Sequence, residues 1–347
     1  MPDVRIGISG WTYAPWRGTF FPRDLLQRKE LAYASRHVAS IEINGTFYSL
    51  QRPSSYAKWF EETPANFLFA VKGPRFITHI RRLKEPATPL ANFFASGVLR
   101  LGEKLGPILW QLPPSLPFQP DRLEAFLQLL PRDTAAAVKL AGQHNDKVKH
   151  PWFEAGPVRP LRHALEVRHA SFQTPEFIRL LRTWNVALVV ADTAGKWPFM
   201  EDVTADFIYV RLHGDERLYV SGYTPAALQE WARKIRGWSK GGNPSGTRLT
   251  TAKSAPRATG RDVFCYFDND VKTRAPYDAM MLAHLLKLGP KPPKAPPIES
   301  VTEEPRTVWP AIATSLARTR RLPAGSPPRK TAKSPPLPRT KRAKRSP

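Results

Sequence analysis

The sequence predicts one α/β domain folded as an eight-stranded parallel (βα)8 barrel, similar to a TIM barrel, followed by a disordered tail. Three observations support this fold class. Eight short apolar strands recur within the first 289 of the 347 residues. Amphipathic helical segments separate several of them, and hydrogen-bonding side chains stand at their carboxyl ends. A doubly wound open sheet is the alternative that the same alternation allows.

Strand and helix segments alternate along the chain. The predicted strands are, in order, VRIGISG, ASIEING, FLFAVKG, PILWQL, HALEVR, ALVVADT, FIYVRLHG and DVFCYFDN. Helical periodicity is clearest in DRLEAFLQLLP, PEFIRLLRTWN, PAALQEWARKIRGW and APYDAMMLAHLLKL. Side chains alternate between the two faces of a strand. We therefore expect Ile41 and Ile43 to pack outward against helices, while Glu42 and Asn44 point into the barrel.

Bulk composition indicates a globular protein of the cytoplasm. The chain is 41% hydrophobic, and its single cysteine, Cys265, excludes an internal disulfide and fits a reducing compartment. We expect that thiol to be buried and structural. The first residues show no signal-peptide pattern, and no apolar run approaches the roughly 20 residues of a membrane helix. We therefore predict a cytoplasmic location and no membrane partner.

Residues 290–347 form the predicted tail, beyond a barrel domain of residues 1–289. From residue 291 onward the chain holds 14 of its 53 lysines and arginines, 3 of its 29 acidic residues and 13 of its 37 prolines. Such a composition buries too little apolar surface to fold. A basic, extended arm suits non-specific contact with nucleic acid or another polyanion. A tail that only keeps the protein soluble is the alternative.

Two stretches are longer than a minimal barrel requires, namely residues 139–160 before the fifth strand and residues 239–262 before the eighth. Both follow helices, so we expect them to emerge on the amino-terminal face, away from the site. The second stretch is basic until Asp262. Together with the tail it would make that end of the barrel positively charged.

Several sequence motifs that are typical of particular enzyme classes or cofactors are absent. The sequence contains no GxxxxGK[ST] phosphate loop, no GxGxxG, no CxxC pair and no GxSxG elbow. It therefore gives no indication of a nucleotide cofactor, a zinc ribbon or a serine hydrolase.

Seven segments resemble a known family. They are GISGWTYAPWRGTFFP, IEINGTFYSLQRPSSYAKWFEETP, FAVKGPRFITH, LGPILWQLPPS, EVRHASF, YVRLHG and YFDND. In this order, over roughly residues 5 to 288, they resemble the YecE-like proteins, domain-of-unknown-function family 72. The resemblance implies a TIM-like barrel and no established biochemical activity. The departures from the family pattern are the two inserts, the tail, and Asp268, where asparagine is expected about as often.

The strand ends supply candidate catalytic groups. Glu166, Asp192 and His213 end the fifth, sixth and seventh strands, and His169 follows the fifth. Carboxylates and imidazoles serve as general acids and bases, so we predict these four as the catalytic residues. The same donor types suit a divalent Mg²⁺ or Mn²⁺ ion. The candidate metal ligands are Glu42, Glu166, Asp192 and His213.

Arginines on the same strand faces offer a metal-free alternative. Arg168 and Arg211 would pair the carboxylates bidentately, which satisfies the same residues without an ion. A purely structural polar core is a third interpretation, since buried charges are sometimes retained without a function. Neither metal nor any other cofactor is therefore specified by the sequence.

The remaining candidates would bind a substrate at the barrel mouth. Cationic side chains suit an anionic group, and rings on loops stack sugars or nucleobases. The predicted substrate-binding residues are Trp11, Tyr13, Glu42, Asn44, Tyr48, Lys72, His79, Gln111, Arg168, Arg211 and Asn269.

Two functions follow from these patterns. The first is an enzyme acting on a small anionic, sugar-like or nucleotide-like ligand, with hydrolysis, isomerisation and elimination all open as the reaction. The second is a nucleic-acid-associated protein that is tethered by its basic tail and uses the barrel mainly as a scaffold. The sequence alone does not decide between them.

Overall fold

The computed structural model describes residues 2–253, 255, 257–270 and 273–295. Within them, eight parallel strands close into a barrel in sequence order, and the eighth strand pairs with the first. The (βα)8 prediction is confirmed and the open sheet is excluded. The strands are β1 (Val4–Ser9), β2 (Ser40–Ile43), β3 (Leu68–Lys72), β4 (Leu105–Gln111), β5 (His163–Glu166), β6 (Ala187–Asp192), β7 (Phe207–Leu212) and β8 (Asp262–Phe267).

Helices cover the outside of the barrel. Two of the described helices begin with a capping threonine followed by proline: Thr174 Oγ1 accepts from Phe177 N at 3.2 Å, and Thr224 Oγ1 accepts from Ala227 N at 3.2 Å. The described helices are α1 (Glu30–Ala34), α2 (Gly45–Tyr48), α3 (Pro53–Glu62), α4 (Ala87–Ala95), α5 (Pro120–Leu129), α6 (Thr134–Ala141), α7 (Pro175–Thr183), α8 (Pro225–Ser239) and α9 (Ala275–Leu285).

The insert before β8 packs against a connection that has no helix. Residues 193–206, which are all described, run from β6 to β7 without a helix. The Asp202 carboxylate accepts from the backbone N–H groups of Thr250 and Thr251, at 2.8 and 3.2 Å. Arg182 of α7 donates to the carbonyls of both Val203 and Lys253. These contacts tie the insert to the end of α7 and to the segment that leads into β7. Its place on the amino-terminal face stays a prediction.

The insert before β5 packs against α4. Asn92 of α4 donates to Asn145 Oδ1 at 3.0 Å, and Trp152 N donates to Ala95 O at 2.8 Å. The Arg100 guanidinium lies 4.1 Å from the centre of the Trp152 ring. These contacts tie the segment to α4 and to the residues that lead into β4. Its position on the amino-terminal face stays a prediction.

The outer face of the barrel forms the main core. Ile41 and Ile43 pack there, as predicted, and so does Cys265, which is fully buried. Burial raises the pKa of that thiol well above its ordinary value, which makes it unreactive. None of the described helices has the length and apolar composition needed to span a membrane. The cytoplasmic location and the boundary near residue 289 stay predictions, and residues 296–347 of the predicted tail lie outside the described part.

Candidate functional site

Arg211 lies at the centre of the candidate site. It is fully buried on β7 and points into the carboxyl-terminal half of the barrel. Its Nε donates to Glu42 Oε2 at 3.1 Å, and its Nη1 donates to Glu166 Oε2 at 2.8 Å. Its Nη2 donates to Glu42 Oε1 at 2.9 Å and to Asp268 Oδ2 at 2.8 Å. One guanidinium therefore joins three carboxyl groups, and this mutual pairing offsets the cost of burying them.

Neighbouring hydroxyl groups complete the shell of Glu42. Ser9 Oγ on β1 donates to Oε1 at 2.7 Å, and the Tyr209 hydroxyl on β7 donates to Oε2 at 2.6 Å. Both oxygens of Glu42 thus accept two hydrogen bonds each, counting those from Arg211. Strand alternation places these three side chains on the inner face of the barrel.

Glu166 is held by two further side chains. Gln111 Nε2 and Arg168 Nε both donate to its Oε1, at 2.9 and 2.7 Å. Burial disfavours the ionised carboxylate, but the guanidinium groups of Arg168 and Arg211 outweigh burial and hold its pKa well below the ordinary value. Glu166 is therefore an ionised anchor for cations.

Two aspartates in the loop after β8 have opposite electrostatic surroundings. Burial disfavours ionisation of Asp268, yet Arg211 and His213 outweigh it and hold its pKa well below the ordinary value. Burial and the neighbouring Asp268 raise the pKa of Asp270 well above the ordinary value. Asp270 Oδ1 is buried and finds no hydrogen-bond partner among the described residues. The surroundings therefore favour the ionised form of Asp268 and the protonated form of Asp270.

His213 lies between the arginine and the ionised aspartate. Its Nε2 is 3.4 Å from Arg211 Nη1, and its Nδ1 is 3.0 Å from Asp268 Oδ2. Burial and the charge of Arg211 lower its pKa, so the ring is neutral at physiological pH. This geometry suits a proton on Nδ1, which faces the carboxylate, because Nε2 faces a donor.

Lys72 ends β3 at the same mouth. Its side chain is only 8% exposed, and its Nζ lies 4.4 Å from the centre of the Phe47 ring. The described residues include no carboxylate that forms an ion pair with it. Burial and then the charge of Arg211 lower its pKa to about 8. The amine is therefore close to its deprotonation point at neutral pH.

Arg168 is a second cation with unused donors. Its side chain is 11% exposed, and its guanidinium lies 3.8 Å from the centre of the Trp197 ring, in a cation–π contact. Only its Nε makes a hydrogen bond to another described residue, Glu166. Its two terminal nitrogens are left to contact a ligand.

A comparison with known families agrees with this architecture. The model of a family described as "Protein of unknown function DUF72" matches residues 5–301. The chain belongs to the DUF72 family. The match spans nearly all of the barrel, including every strand residue named above in the charge network.

Relatives of this DUF72 chain include two curated proteins. UPF0759 protein YunF of Bacillus subtilis (strain 168) is 30% identical over 116 residues, which are 32% of this chain and 40% of the relative. UPF0759 protein YecE of Escherichia coli (strain K12) is 29% identical over 155 residues, which are 44% of this chain and 50% of the relative. The chain thus matches half or less of the length of these relatives.

A solved structure shares the fold of this DUF72 chain. A DUF72 family protein from Thermotoga maritima superposes with a TM-score of 0.62 at 21% identity, over 82% of this chain and 99% of that one. At this level of identity the likeness establishes the fold and nothing about the chemistry.

The DUF72 barrel brings most of the predicted site residues to one mouth. Besides those described, the Tyr13 hydroxyl and Asn44 Nδ2 donate to the backbone oxygen and the Oγ of Ser9, respectively. His79 contacts the edge of the Phe47 ring at 5.0 Å between centroids, and burial followed by the charge of Lys72 lowers its pKa to about 4. Tyr48 is 41% exposed at the rim.

Two predicted residues of the DUF72 barrel face away from the charge network. Asp192 lies on the outer face of β6 and accepts from the Tyr223 hydroxyl at 3.0 Å, because Ala191 occupies the inner position. Asn269 donates to Asp278 Oδ2 at 2.8 Å, because the inward position of that strand falls to Asp268. The expectation that Asp192 and Asn269 converge with the other side chains was therefore wrong.

Two others are diverted by local backbone geometry. Gly10 adopts a φ of +85°, so the chain turns after β1 and Trp11 packs edge-on against Trp59, with centroids 5.6 Å apart. His169 Nδ1 accepts from Ser171 N at 3.2 Å and thereby caps a short helical turn. These contacts give Trp11 and His169 packing and capping partners outside the network.

The predicted metal ligands do not form a metal centre. Among the described residues, no group of three or more His, Cys, Asp or Glu side chains could hold a metal ion. Glu42, Glu166 and His213 do approach one another, but the Arg211 guanidinium occupies the space between them and already uses their oxygens. The observed pairs of Arg168 and Arg211 with these carboxylates are those that the sequence analysis named as the alternative to metal ligation.

Sequence reasoning missed three residues of the site. Asp268 was noted only as a departure from the family pattern, although it lies two residues after the inward Tyr266 and therefore on the same face. Asp270 lies in an irregular loop where alternation gives no guidance. The third is Trp197, which stacks on Arg168. Tyr219, one of the aromatic residues expected near the mouth, has its ring 5.3 Å from that of His213.

Proposed function

We propose that this protein is an enzyme that binds a small ligand carrying an anionic group, sugar-like or nucleotide-like in size, at the carboxyl-terminal mouth of the barrel. The observation that carries the proposal is a pair of cations with unused donors at that mouth. Lys72 is almost fully buried without an ion pair to any described carboxylate, and Arg168 offers two terminal nitrogens.

Energetics favour a ligand that supplies the missing acceptors. A buried cation without hydrogen-bond acceptors costs several kcal/mol, and an oxyanion bound between the ammonium and the guanidinium would remove much of that cost. A phosphate or carboxylate also matches the fork of a guanidinium. The rings of Trp197, Tyr219 and Tyr48 would form the walls of the site around the rest of the ligand.

The two aspartates fit the roles of acid and base. Neighbouring carboxyls whose pKa values are pushed apart are typical of sites that transfer protons at neutral pH. In the proposed enzyme Asp268 accepts a proton and Asp270 donates one, while His213 relays or orients. Glu166, predicted as catalytic, is paired with Arg168 and Arg211 and would position them. Hydrolysis, isomerisation and elimination all remain compatible with such a pair.

Titration calorimetry on the full-length chain tests this proposal. Inorganic phosphate and glucose 6-phosphate are the probes, and Arg168→Gln is compared with Arg162→Gln. Arg162 pairs with Asp262 at the opposite end of the barrel and is 33% exposed. We expect Arg168→Gln to weaken binding by about tenfold or more, and Arg162→Gln to leave it unchanged. An absence of binding by the wild-type chain, or equal losses in both variants, would contradict the proposal.

A second function is favoured by the composition of the tail. Residues 291–347 carry 14 lysines and arginines against 3 acidic residues, which suits non-specific contact with nucleic acid. Under this proposal, removal of residues 291–347 weakens retention on double-stranded DNA at low salt, whereas phosphate binding at the mouth persists. If the shortened chain keeps its affinity for DNA, the tail is not the polyanion-binding element. We also propose a cytoplasmic location, because a single cysteine fits a reducing compartment.

A further inference from the structure

We infer that Lys72 is a nucleophile that forms an imine with a carbonyl carbon of the ligand, so that the substrate class is an aldehyde or ketone bearing a phosphate or carboxylate. This inference rests on the proposed function, because the anionic group would be held by Arg168. It adds a covalent step that anion binding alone does not require.

The buried lysines of the described chain differ in how their amines are satisfied. Lys104 Nζ donates to Phe60 O at 2.5 Å and Thr63 O at 2.8 Å, and Lys234 Nζ pairs with Glu201 Oε1 at 2.7 Å. These two amines have structural partners. Lys72 is buried to a similar degree, yet no described residue accepts a hydrogen bond from its amine, which lies 4.4 Å from the centre of the Phe47 ring.

The backbone of Lys72 is held by hydrogen bonds, whereas its amine donates none to a described residue. Thr46 Oγ1 donates to the Lys72 carbonyl oxygen at 2.7 Å, and β3 is hydrogen-bonded to β2 and β4 on either side. The ring of Phe47, the residue after Thr46, lies beneath the ammonium group of Lys72. The side chain therefore projects from a rigid strand end, which is where barrel enzymes hold reactive groups.

The charges around the amine favour its nucleophilic form. Arg211 on β7 disfavours the ammonium, as burial does, whereas Glu42, Asp268 and Glu166 partly oppose them. His79 also faces it, but as a neutral ring, since its own pKa is lowered. A pKa of about 8, against 10.5 for an ordinary lysine, gives roughly 300-fold more neutral amine at pH 7. Desolvation beside another cation is a known means of activating lysine.

The chemistry balances with groups present at the mouth. The neutral amine of Lys72 attacks the carbonyl carbon, a C–N bond forms, and a proton passes from nitrogen to oxygen to give a carbinolamine. A protonated carboxyl, for which Asp270 is the candidate, then protonates the hydroxyl group, the C–O bond breaks and water leaves. The product is a protonated imine that draws electrons from the adjacent carbon. No oxidant or further reactant is needed.

Reductive trapping on the full-length wild-type chain tests the inference. The chain is incubated at pH 7.5 with pyruvate or dihydroxyacetone phosphate and sodium cyanoborohydride, and peptide mass spectrometry locates the secondary amine. Lys58 is the internal reference, because its side chain is 58% exposed and ordinary in setting. We expect labelling at Lys72 to exceed that at Lys58 by at least about tenfold. Labelling confined to surface lysines, or equal at the two sites, would overturn the inference.

Variants separate this inference from the proposed function. Arg168→Gln is expected to reduce trapping of both probes at Lys72, and Lys72→Met removes the site altogether. Because the peptide map reads the wild-type chain directly, the result does not depend on the folding of a variant. If calorimetry shows phosphate binding but no adduct forms at Lys72, the covalent step is wrong and the proposed function stands. If neither occurs, both fail.

Discussion

The two halves of the barrel interior have opposite chemistry. The amino-terminal half is filled with apolar side chains and rings, whereas the carboxyl-terminal half is filled with ions and hydrogen-bonding groups that are fully or largely buried. The apolar side chains include Ala70, Leu109, Ala164, Val189, Phe207 and Phe264. The charged ones are Glu42, Lys72, Glu166, Arg168, Arg211 and Asp268.

This difference in chemistry indicates that the apolar half of the interior contributes more to folding stability than the charged half. Full burial of a large apolar side chain contributes about 1.5–3 kcal/mol to folding. A buried ion-pair network contributes little or nothing relative to apolar residues of similar volume, because desolvation offsets pairing. A barrel selected only for stability would therefore have an apolar carboxyl-terminal half as well. We propose that binding and chemistry account for the charges there.

The largest effect is expected when the centre of the network is removed. Arg211→Met leaves Glu42, Glu166 and Asp268 without their shared cation, and should lower the free energy of unfolding by about 3–5 kcal/mol. Urea denaturation at pH 7 measures it. Arg162→Met is the matched control, because the Arg162–Asp262 pair at the other end is partly exposed and should contribute less than about 1 kcal/mol. Equal losses would show that the two ends do not differ as described.

A smaller effect of opposite sign is expected at Lys72. Lys72→Met removes an unpaired, nearly buried ammonium and should raise the free energy of unfolding at pH 7 by about 1–3 kcal/mol, while weakening ligand binding. Between pH 8 and 10.5 the unfolded chain binds more protons at this residue than the folded chain does, so wild-type stability should rise with pH there. The variant should lack that rise. A destabilised Lys72→Met chain would indicate a structural role for the amine.

The smallest effect is expected in the apolar half. Phe264 is almost completely buried against Phe207, with centroids 5.9 Å apart. Phe264→Leu should lower the free energy of unfolding by about 1–2 kcal/mol, through lost contacts and a small cavity. Phosphate affinity measured by calorimetry should not change. A matching loss of affinity would mean that the two halves of the interior are coupled and that the division drawn here is too sharp.

The period-two pattern of the strands was sufficient to predict the fold and about half of the residues of the site. Alternation of polar and apolar residues identified every strand and correctly turned Glu42 and Arg211 inward, because both lie inside regular strands. Alternation was misleading at strand ends, where a shift of one residue turns a side chain to the opposite face. Asp192 and Asn269 were expected at the mouth, but both face away from the charge network, and Asp268 lies there instead.

Loop residues were beyond the reach of sequence patterns. Trp11 follows a glycine with positive φ, which breaks the alternation, and Trp197 meets Arg168 only because the irregular connection after β6 folds back over the mouth. The chemical state of the site was equally hidden. The contrast between Asp268 and Asp270 arises from burial and from contacts between distant strands, which no local spacing records.

The most direct test of the central claim compares a tryptophan at the mouth with a tryptophan in the core outside the barrel. Trp197 stacks on Arg168 at the mouth, whereas Trp110 is buried outside the barrel and donates to His163 Nδ1 at 3.1 Å. Indole N–H resonances of the full-length chain, assigned with Trp197→Phe and Trp110→Phe, are followed by NMR during a phosphate titration. We expect the Trp197 signal to shift and saturate while the Trp110 signal stays fixed. A Trp197 signal that never moves would contradict a ligand site at this mouth.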